Sequence, residues 1–288
     1  MTGTKIVVGY DGSQDARRAL RWGFREAVRT GAEVDMVYVW RWPDYLPAAS
    51  MIPGTPVWPD LNAEKELETM LAEAVARAQA EYPGVVAHTI IGHGSPASVL
   101  RDLSAGASLL VVGGRGHGLL GDFWLGSVPG ALAAHALCSV VVVREPAGQA
   151  PGAPILLGLD DSAHADRAAE FAFEHAAAWG APLRVVRAWM PPPDPWIGAP
   201  DIDREEISTA ELVAVREQVA EWHRKYSTVD LQVEAIVGHP YRVIAEAATQ
   251  ARTVVLGARG EGGFSLLRLG SVSRYVLHHV SATVAVVR

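Results

Sequence analysis

The sequence predicts an α/β protein of two tandem domains, each a mostly parallel five-stranded sheet flanked by helices. Three observations predict it. The 288 residues exceed one ordinary domain of about 100 to 200 residues and suit two. The segment 5–13 (KIVVGYDGS) recurs as 154–162 (PILLGLDDS), a shift of 149 positions that pairs Asp11 with Asp160, Ser13 with Ser162, Phe24 with Phe173, Gly31 with Gly180 and Trp40 with Trp189. Within each copy, short β-branched runs alternate with helical patterns, which implies a parallel sheet covered on both faces.

The elements of the first copy follow in order. Residues 6–10 form an apolar run that reads as a buried strand. Ser13 is placed to cap the following helix, in which Ala16, Ala19, Leu20, Gly23, Phe24 and Ala27 keep helical spacing until Gly31 closes it. A second strand covers 34–40. After a Pro-rich loop, Leu67, Met70, Leu71, Ala74, Val75 and Ala78 mark an amphipathic helix. Then come a strand at 85–91, a helix at 97–105, a strand at 109–112, a helix at 127–137 and a strand at 140–143. The second copy repeats the series through Val287.

Late in each copy the register changes. Residues 94–100 (GSPASVL) match 238–244 (GHPYRVI), and 108–116 (SLLVVGGRG) match 252–260 (RTVVLGARG), now at a shift of 144. The second copy has therefore lost five residues between Trp189 and Gly238, opposite the longer Pro-rich loop of the first. The Pro, Gly and Ala stretch EPAGQAPGAP reads as a linker. The domains expected are 1–146 and 147–288.

Composition narrows the function. With 49% hydrophobic and 20% charged residues the chain is ordinary and globular. A net charge of -7 argues against nucleic acid as a partner, since duplex binding needs many phosphate-neutralising cations. The single cysteine, Cys138, cannot form an intrachain disulfide and reads as a small buried apolar residue. The N-terminal sequence lacks a signal-peptide pattern. The apolar stretch 131–143, broken by His135 and Ser139, is too short to span a bilayer. The expectation is a cytoplasmic protein without a membrane partner.

The chemistry-bearing feature lies after the fourth strand. There the first copy reads GGRGHGLLGDFWLGS and the second GARGEGGFSLLRLGS. Both fit one spacing: glycine, two residues, glycine, nine residues, Gly-Ser. The residues are Gly113, Gly116, Gly126 and Ser127, then Gly257, Gly260, Gly270 and Ser271. A glycine directly after a strand lets the backbone approach a ligand closely. A Gly-Ser pair opening a helix presents amide N–H groups, a hydroxyl and the positive end of the helix dipole, which suit phosphate oxygens. Glycines that merely turn the chain are the competing reading, and two loops in register weigh against it. Gly116, Gly118 and Gly121 also spell a dinucleotide fingerprint, but the second copy has Ser265 in the third place. No lysine lies in either loop, which excludes a Walker loop. Phosphates would rely on amides, hydroxyls and the arginines Arg115 and Arg259, for which solvated loop positions are the alternative.

On these residues the chain resembles a tandem universal stress protein of the ATP-binding class, across essentially both halves. The resemblance implies two Rossmann-like domains of the adenine nucleotide alpha hydrolase-like type. It further implies ATP as ligand, with Mg2+ as its companion ion and the metal ligands undefined. Asp11 and Asp160 fall at the base and ribose side of the site, although Asp in such a turn can also serve the turn itself. The main chain of Val39 and Ala188 would hold the adenine edge, and the glycines and serines of the two loops would line ribose and phosphates. Asp161 in place of Gly12 and Ala188 in place of Val39 leave the second site less certain. The family pairs domains through the last strand, so 140–143 and 284–287 are expected to pair within one chain as an internal pseudo-dimer, with a homodimer as an alternative.

The leading functional expectation is an ATP-binding, stress-response regulatory protein with one site per repeat. The rival is a slow ATPase or a phosphoryl- or nucleotidyl-transfer enzyme. Asp11 and Asp122 are candidate metal-side carboxylates, but no loop lysine or base accompanies them. His278 and His279 lie side by side on a helix and read as structural or solvated. Trp42, Trp58 and Trp196 read as cover for the core.

Overall fold

The computed structural model describes residues 4–40, 61–116, 125–144, 150, 152–190, 204–260 and 268–288. The first half runs β1 (Lys5–Gly9), α1 (Gln14–Thr30), β2 (Glu33–Trp40), α2 (Leu61–Glu81), β3 (Ala87–His93), α3 (Pro96–Leu103), β4 (Leu109–Gly113), α4 (Ser127–His135) and β5 (Ser139–Val143). The second runs β6 (Ile155–Gly158), α5 (Ala165–Trp179), β7 (Leu183–Trp189), α6 (Arg204–Lys225), β8 (Leu231–Val237), α7 (Pro240–Ala247), β9 (Thr253–Gly257), α8 (Ser271–His279) and β10 (Thr283–Val287).

Strand alternation explains how one sheet serves two cores. Ile6 and Val8 of β1 join a cluster with α1, α2, α5 and α6 residues on one face. Val7 joins the opposite cluster, with α3, α4, α7 and α8. The ends of α1 follow local chemistry. The Ser13 hydroxyl accepts from the Ala16 N–H at 3.1 Å, and Gly31 closes the helix with φ 68, a left-handed conformation suited to glycine.

Several boundaries differ from the sequence pattern by one or two residues. The third strand runs from Ala87 to His93 rather than over 85–91, after the Pro83-Gly84 turn, because β2 pairs with it from Val34↔Ala87 to Trp40↔His93. The third helix ends at Leu103 and tightens into a 3-10 turn over Ser104–Gly106. The fourth ends at His135, since Ala136 turns extended and the Leu137 N–H is taken by the Ser104 hydroxyl.

All ten strands form a single sheet in the order β3-β2-β1-β4-β5-β10-β9-β6-β7-β8. Pairs within each half are parallel, and β5 meets β10 antiparallel. At that seam Val141 pairs with Ala285, while Val140 and Val142 pair with Val286 and Val284. These are equivalent positions at the 144 shift, so an approximate twofold axis passes between Val141 and Ala285. The expected pairing of the last strands is present.

Equivalent residues also cross the seam reciprocally. Arg144 donates to the Leu277 and Val280 carbonyls at the end of α8, both at 2.6 Å. Its counterpart Arg288 donates to the Ala133 carbonyl in α4. The Arg144 N–H bonds the Thr283 hydroxyl and the Arg288 N–H bonds the Ser139 hydroxyl, each at 3.1 Å. Cations at helix C-termini complement the dipole.

On the other side of the seam α1 meets α5. Glu26 and His175, equivalent at the 149 shift, lie 3.1 Å apart and are only 4% and 1% exposed. His175 Nδ1 sits 2.7 Å from the Phe171 carbonyl, which places a proton on that nitrogen and turns Nε2 toward the carboxylate. Trp22 and Phe171 stack on the ring. Arg29 binds Glu26 and reaches Glu174 of the other half at 3.3 Å. Burial pushes the Glu26 carboxyl up, but the His175 and Arg29 contacts outweigh it and leave it below its ordinary value.

Candidate functional site

Because β1 lies between β2 and β4, strand order reverses there, and the carboxyl ends of β1 and β4 are where a parallel sheet of this kind forms its ligand crevice. The β6 and β9 ends make the same crevice in the second half. Asp11 follows β1 and Gly116 follows β4, and the fold brings them together. A Cβ on Gly116 would stand 2.5 Å from Asp11 Oδ2, and one on Gly260 would stand 2.5 Å from Asp160 Oδ2. The other carboxylate oxygen accepts the N–H two residues on, from Ser13 at 3.0 Å and Ser162 at 3.1 Å. Each aspartate thus serves its turn and presents an oxygen to the glycine loop; the two readings are compatible.

The loops are closed by identical backbone bonds. Gly114 N–H donates to the Val143 carbonyl and Gly126 N–H to the Gly114 carbonyl, both at 3.0 Å. In the second half Ala258 donates to Val287 at 2.7 Å and Gly270 to Ala258 at 2.8 Å. This returns Gly126 and Gly270 to the crevice as N-caps of α4 and α8, neither with a side-chain capping bond. The exposed Ser127 and Ser271 are the first helical residues. At the third position Pro129 has no N–H, whereas Ser273 keeps its amide and donates its hydroxyl to the Gly257 carbonyl at 2.8 Å. Gly113 answers to packing: a Cβ there would strike the Asp15 backbone at 2.7 Å.

Backbone alternation places the base end. Tyr10 N–H bonds the Val37 carbonyl at 2.8 Å, and Gly94 N–H bonds the Trp40 carbonyl at 3.1 Å. Residues two apart on a strand point their amides to the same side, so the Val39 N–H and C=O face the β1 side, beyond the last β1–β2 bond. The Leu159–Val186 and Gly238–Trp189 bonds set Ala188 the same way.

Arg115 turns inward, its Nε 3.4 Å from Asp15 Oδ2, while its carbonyl accepts from the Ser13 hydroxyl at 3.4 Å. Asp15 is 6% exposed and also holds Arg18 at 2.9 Å. The counterpart of Asp15 is His164, whose Cβ packs against Gly257. Burial, then Arg259, Arg167 and Arg288, push the His164 imidazole below its ordinary value, with Asp160 opposing. At the base end of the second half, Arg187 is 7% exposed and binds Asp161, Glu211 and Gln218. Gln218 in turn donates to the Asp160 carbonyl at 3.0 Å.

Asp15, His164 and Arg187 were not singled out from sequence. Setting the repeats against each other would have exposed them, since Asp15 falls on His164 and Tyr38 on Arg187. Asp122, Trp42, Trp58, Trp196, Gly118, Gly121 and Ser265 lie outside the described residues. Among those described, no three His, Cys, Asp or Glu side chains gather as a metal site, and no helix is long and apolar enough to cross a membrane. A shallow recess at the amino ends of β6–β8, lined by Pro154, Arg184, Gln232 and Glu234, lies opposite the crevices and holds the Arg184–Glu234 ion pair.

The chain matches the model of the universal stress protein family twice, over residues 3–144 and 153–288. A universal stress protein of Mycolicibacterium smegmatis is 33% identical over 292 residues, covering 98% of this chain and 96% of the relative. One of Mycobacterium tuberculosis is 28% identical over 295 residues, with the same coverage. The crystal structure of a universal stress protein from Archaeoglobus fulgidus superposes with a TM-score of 0.69 at 20% identity, covering 99% of this chain and 96% of that one.

Proposed function

The chain belongs to the universal stress protein family, and within it we propose a regulatory adenine-nucleotide-binding protein that holds one ATP in each half. The observation that carries this is the duplicated contact between the post-β1 aspartate and the second loop glycine, at the strand-order reversal of both halves. Gly113, Gly116, Gly126 and Ser127, with Gly257, Gly260, Gly270 and Ser271, would surround ribose and phosphates. The Val39 and Ala188 main chains would meet the adenine edge. Arg259 is the better placed arginine for phosphate, since Arg115 is engaged by Asp15. Domain limits at 1–146 and 147–288 fit this division. Mg2+ is assigned to the nucleotide rather than to a protein cage: that ion commonly keeps several waters and uses one or two carboxylates beside substrate phosphates. The expected setting is the cytoplasm.

Binding in the folded state would stabilise it by mass action and so give the cell a nucleotide-dependent surface. Phosphoryl transfer would also require a base positioned against an acceptor, an arrangement that no contact among the described residues supplies. Denaturing the purified protein and identifying released nucleotide, then following ADP after adding ATP, tests both points. Copurified ATP with negligible turnover is the expected result. Steady turnover at ordinary enzyme rates would refute the regulatory reading, and no nucleotide at any concentration would refute ATP binding.

A further inference from the structure

Several charged positions around the two phosphate ends match. Arg18 and Arg167, Arg115 and Arg259, Arg144 and Arg288, and Asp11 and Asp160 occupy equivalent positions. Three positions on this turn differ: Gly12 against Asp161, which is tied to Arg187, Arg17 against Asp166, both exposed, and the buried Asp15 against His164. In the first half the polar groups at this turn are internally satisfied: Ser13 caps α1 and bonds Arg115, and Asp15 is paired with Arg18 and Arg115. In the second half α5 starts at Ala165, two residues later than its counterpart. Ser162 Oγ and His164 Nδ1 are then buried without a hydrogen-bond partner among the described residues. Both belong to the turn whose aspartate faces Gly260, and His164 packs against Gly257. Buried polar atoms are normally bonded, so two orphans on one turn point to a ligand that satisfies them.

Resting on the reading that each half holds an adenine nucleotide, we propose that Ser162 and His164 contact phosphate oxygens and make the second site the polyphosphate site. Asp15, in the equivalent place, makes the first site favour adenine nucleotides of lower charge. Ser162 would donate its hydroxyl hydrogen and His164 a ring N–H. The Asp15 carboxylate would oppose a neighbouring phosphate, and one unit charge several Å away in a partly buried site changes affinity by about tenfold or more.

Equilibrium dialysis of the full chain with ATP and with AMP, without divalent ions, tests this. Gly116→Val or Gly260→Val leaves one site open at a time. With the first site blocked, ATP is expected to bind about tenfold more tightly than with the second site blocked. The ATP:AMP preference should be larger at the second site. Asp15→Asn should raise ATP affinity at the first site by about tenfold with little change for AMP. Ser162→Ala and His164→Asn should each weaken ATP several-fold at the second site. Ser162→Ala removes only an unpartnered hydroxyl, so its unliganded melting temperature should stay at the wild-type value, which guards against misfolding as the cause. Equal ATP affinities at the two sites, unmoved by Asp15→Asn and Ser162→Ala, would overturn the proposal and leave nucleotide binding intact. Failure of the folded wild type to bind either nucleotide would refute the underlying reading as well.

Discussion

In the first half the turn after β1 runs directly into α1, with Ser13 as its cap and Asp15 tied to two arginines. In the second half the same turn delays its helix and leaves Ser162 Oγ and His164 Nδ1 without a hydrogen-bond partner among the described residues. The glycine spacing is common to both, and so are the backbone bonds that close each loop. The difference teaches that a repeat can keep the backbone of its glycine loop while the side chains of the neighbouring turn diverge. At the seam the same divergence has another use. A symmetric pairing would set like against like at the position of Glu26, but the fused chain sets a carboxylate against an imidazole.

The largest expected effect breaks that complementarity. His175→Glu would bury two carboxylates face to face between α1 and α5, and a buried charge left uncompensated costs about 3–5 kcal/mol. Urea unfolding should show a loss of this size, and Glu26→His combined with His175→Glu should recover most of it. An unchanged midpoint in the single variant would mean that the pair contributes nothing to joining the halves. The pH sign follows from Glu26, whose folded pKa is depressed. Its stabilisation is present above the unfolded value of about 4.3 and fades as pH falls through the lower folded one. Glu26→Gln should therefore flatten the acid limb of the stability curve.

Next comes the glycine contact. Valine at 116 or 260 would drive a side chain into the facing aspartate, at a spacing of 2.5 Å for Cβ alone. Each substitution should remove one of two bound nucleotides, read as a halved stoichiometry in dialysis. Retention of both would break the claim that the two crevices are equivalent in position.

Much of this was legible in the chain. Alternating apolar runs and the two shifts predicted ten strands in two copies, and the family resemblance, with its pairing through the last strand, predicted the seam. Gly116 and Gly260 came from spacing, and Asp11 and Asp160 from the repeat register and the family resemblance. The charge at position 15 did not, because a helix-start aspartate looks like an ordinary dipole-compensating residue until Arg115 is seen folding onto it. The Arg187 cluster was equally hidden, since it joins residues from the turn after β6, from β7 and from α6 whose separations carry no local pattern. Helix ends were missed where a tertiary bond decided them, as when Ser104 takes the Leu137 N–H.

The reciprocal arginines sharpen the comparison further. Burial pushes Arg144 down to about 10, still charged at neutral pH, and it donates to two α8 carbonyls. Arg288 donates to one α4 carbonyl. Hydrogen bonds to charged groups are worth about 1.5–3 kcal/mol, so Arg144→Met should lower stability by about that range and Arg288→Met by less. Equal losses would show that the count of carbonyl bonds does not set the asymmetry.

The smallest effect concerns Cys138, whose counterpart in the second half is Ala282, both buried on the same face of the sheet. Burial pushes the thiol up to about 11. The thiolate is the reactive form, so at pH 8 its population should be roughly a hundredfold or more below that of an ordinary cysteine with a pKa of about 8.5. Alkylation of the native protein should accordingly be slow, and should become fast once urea unfolds it. Because the folded pKa is raised, the thiol's contribution is complete below about pH 8.5 and is lost as pH rises toward the folded value. Cys138→Ala copies the second half's residue. It should cost less than about 1.5 kcal/mol near neutral pH while removing this alkaline component. Rapid labelling of the folded chain would show that the layer over β5 is more open than its partner over β10.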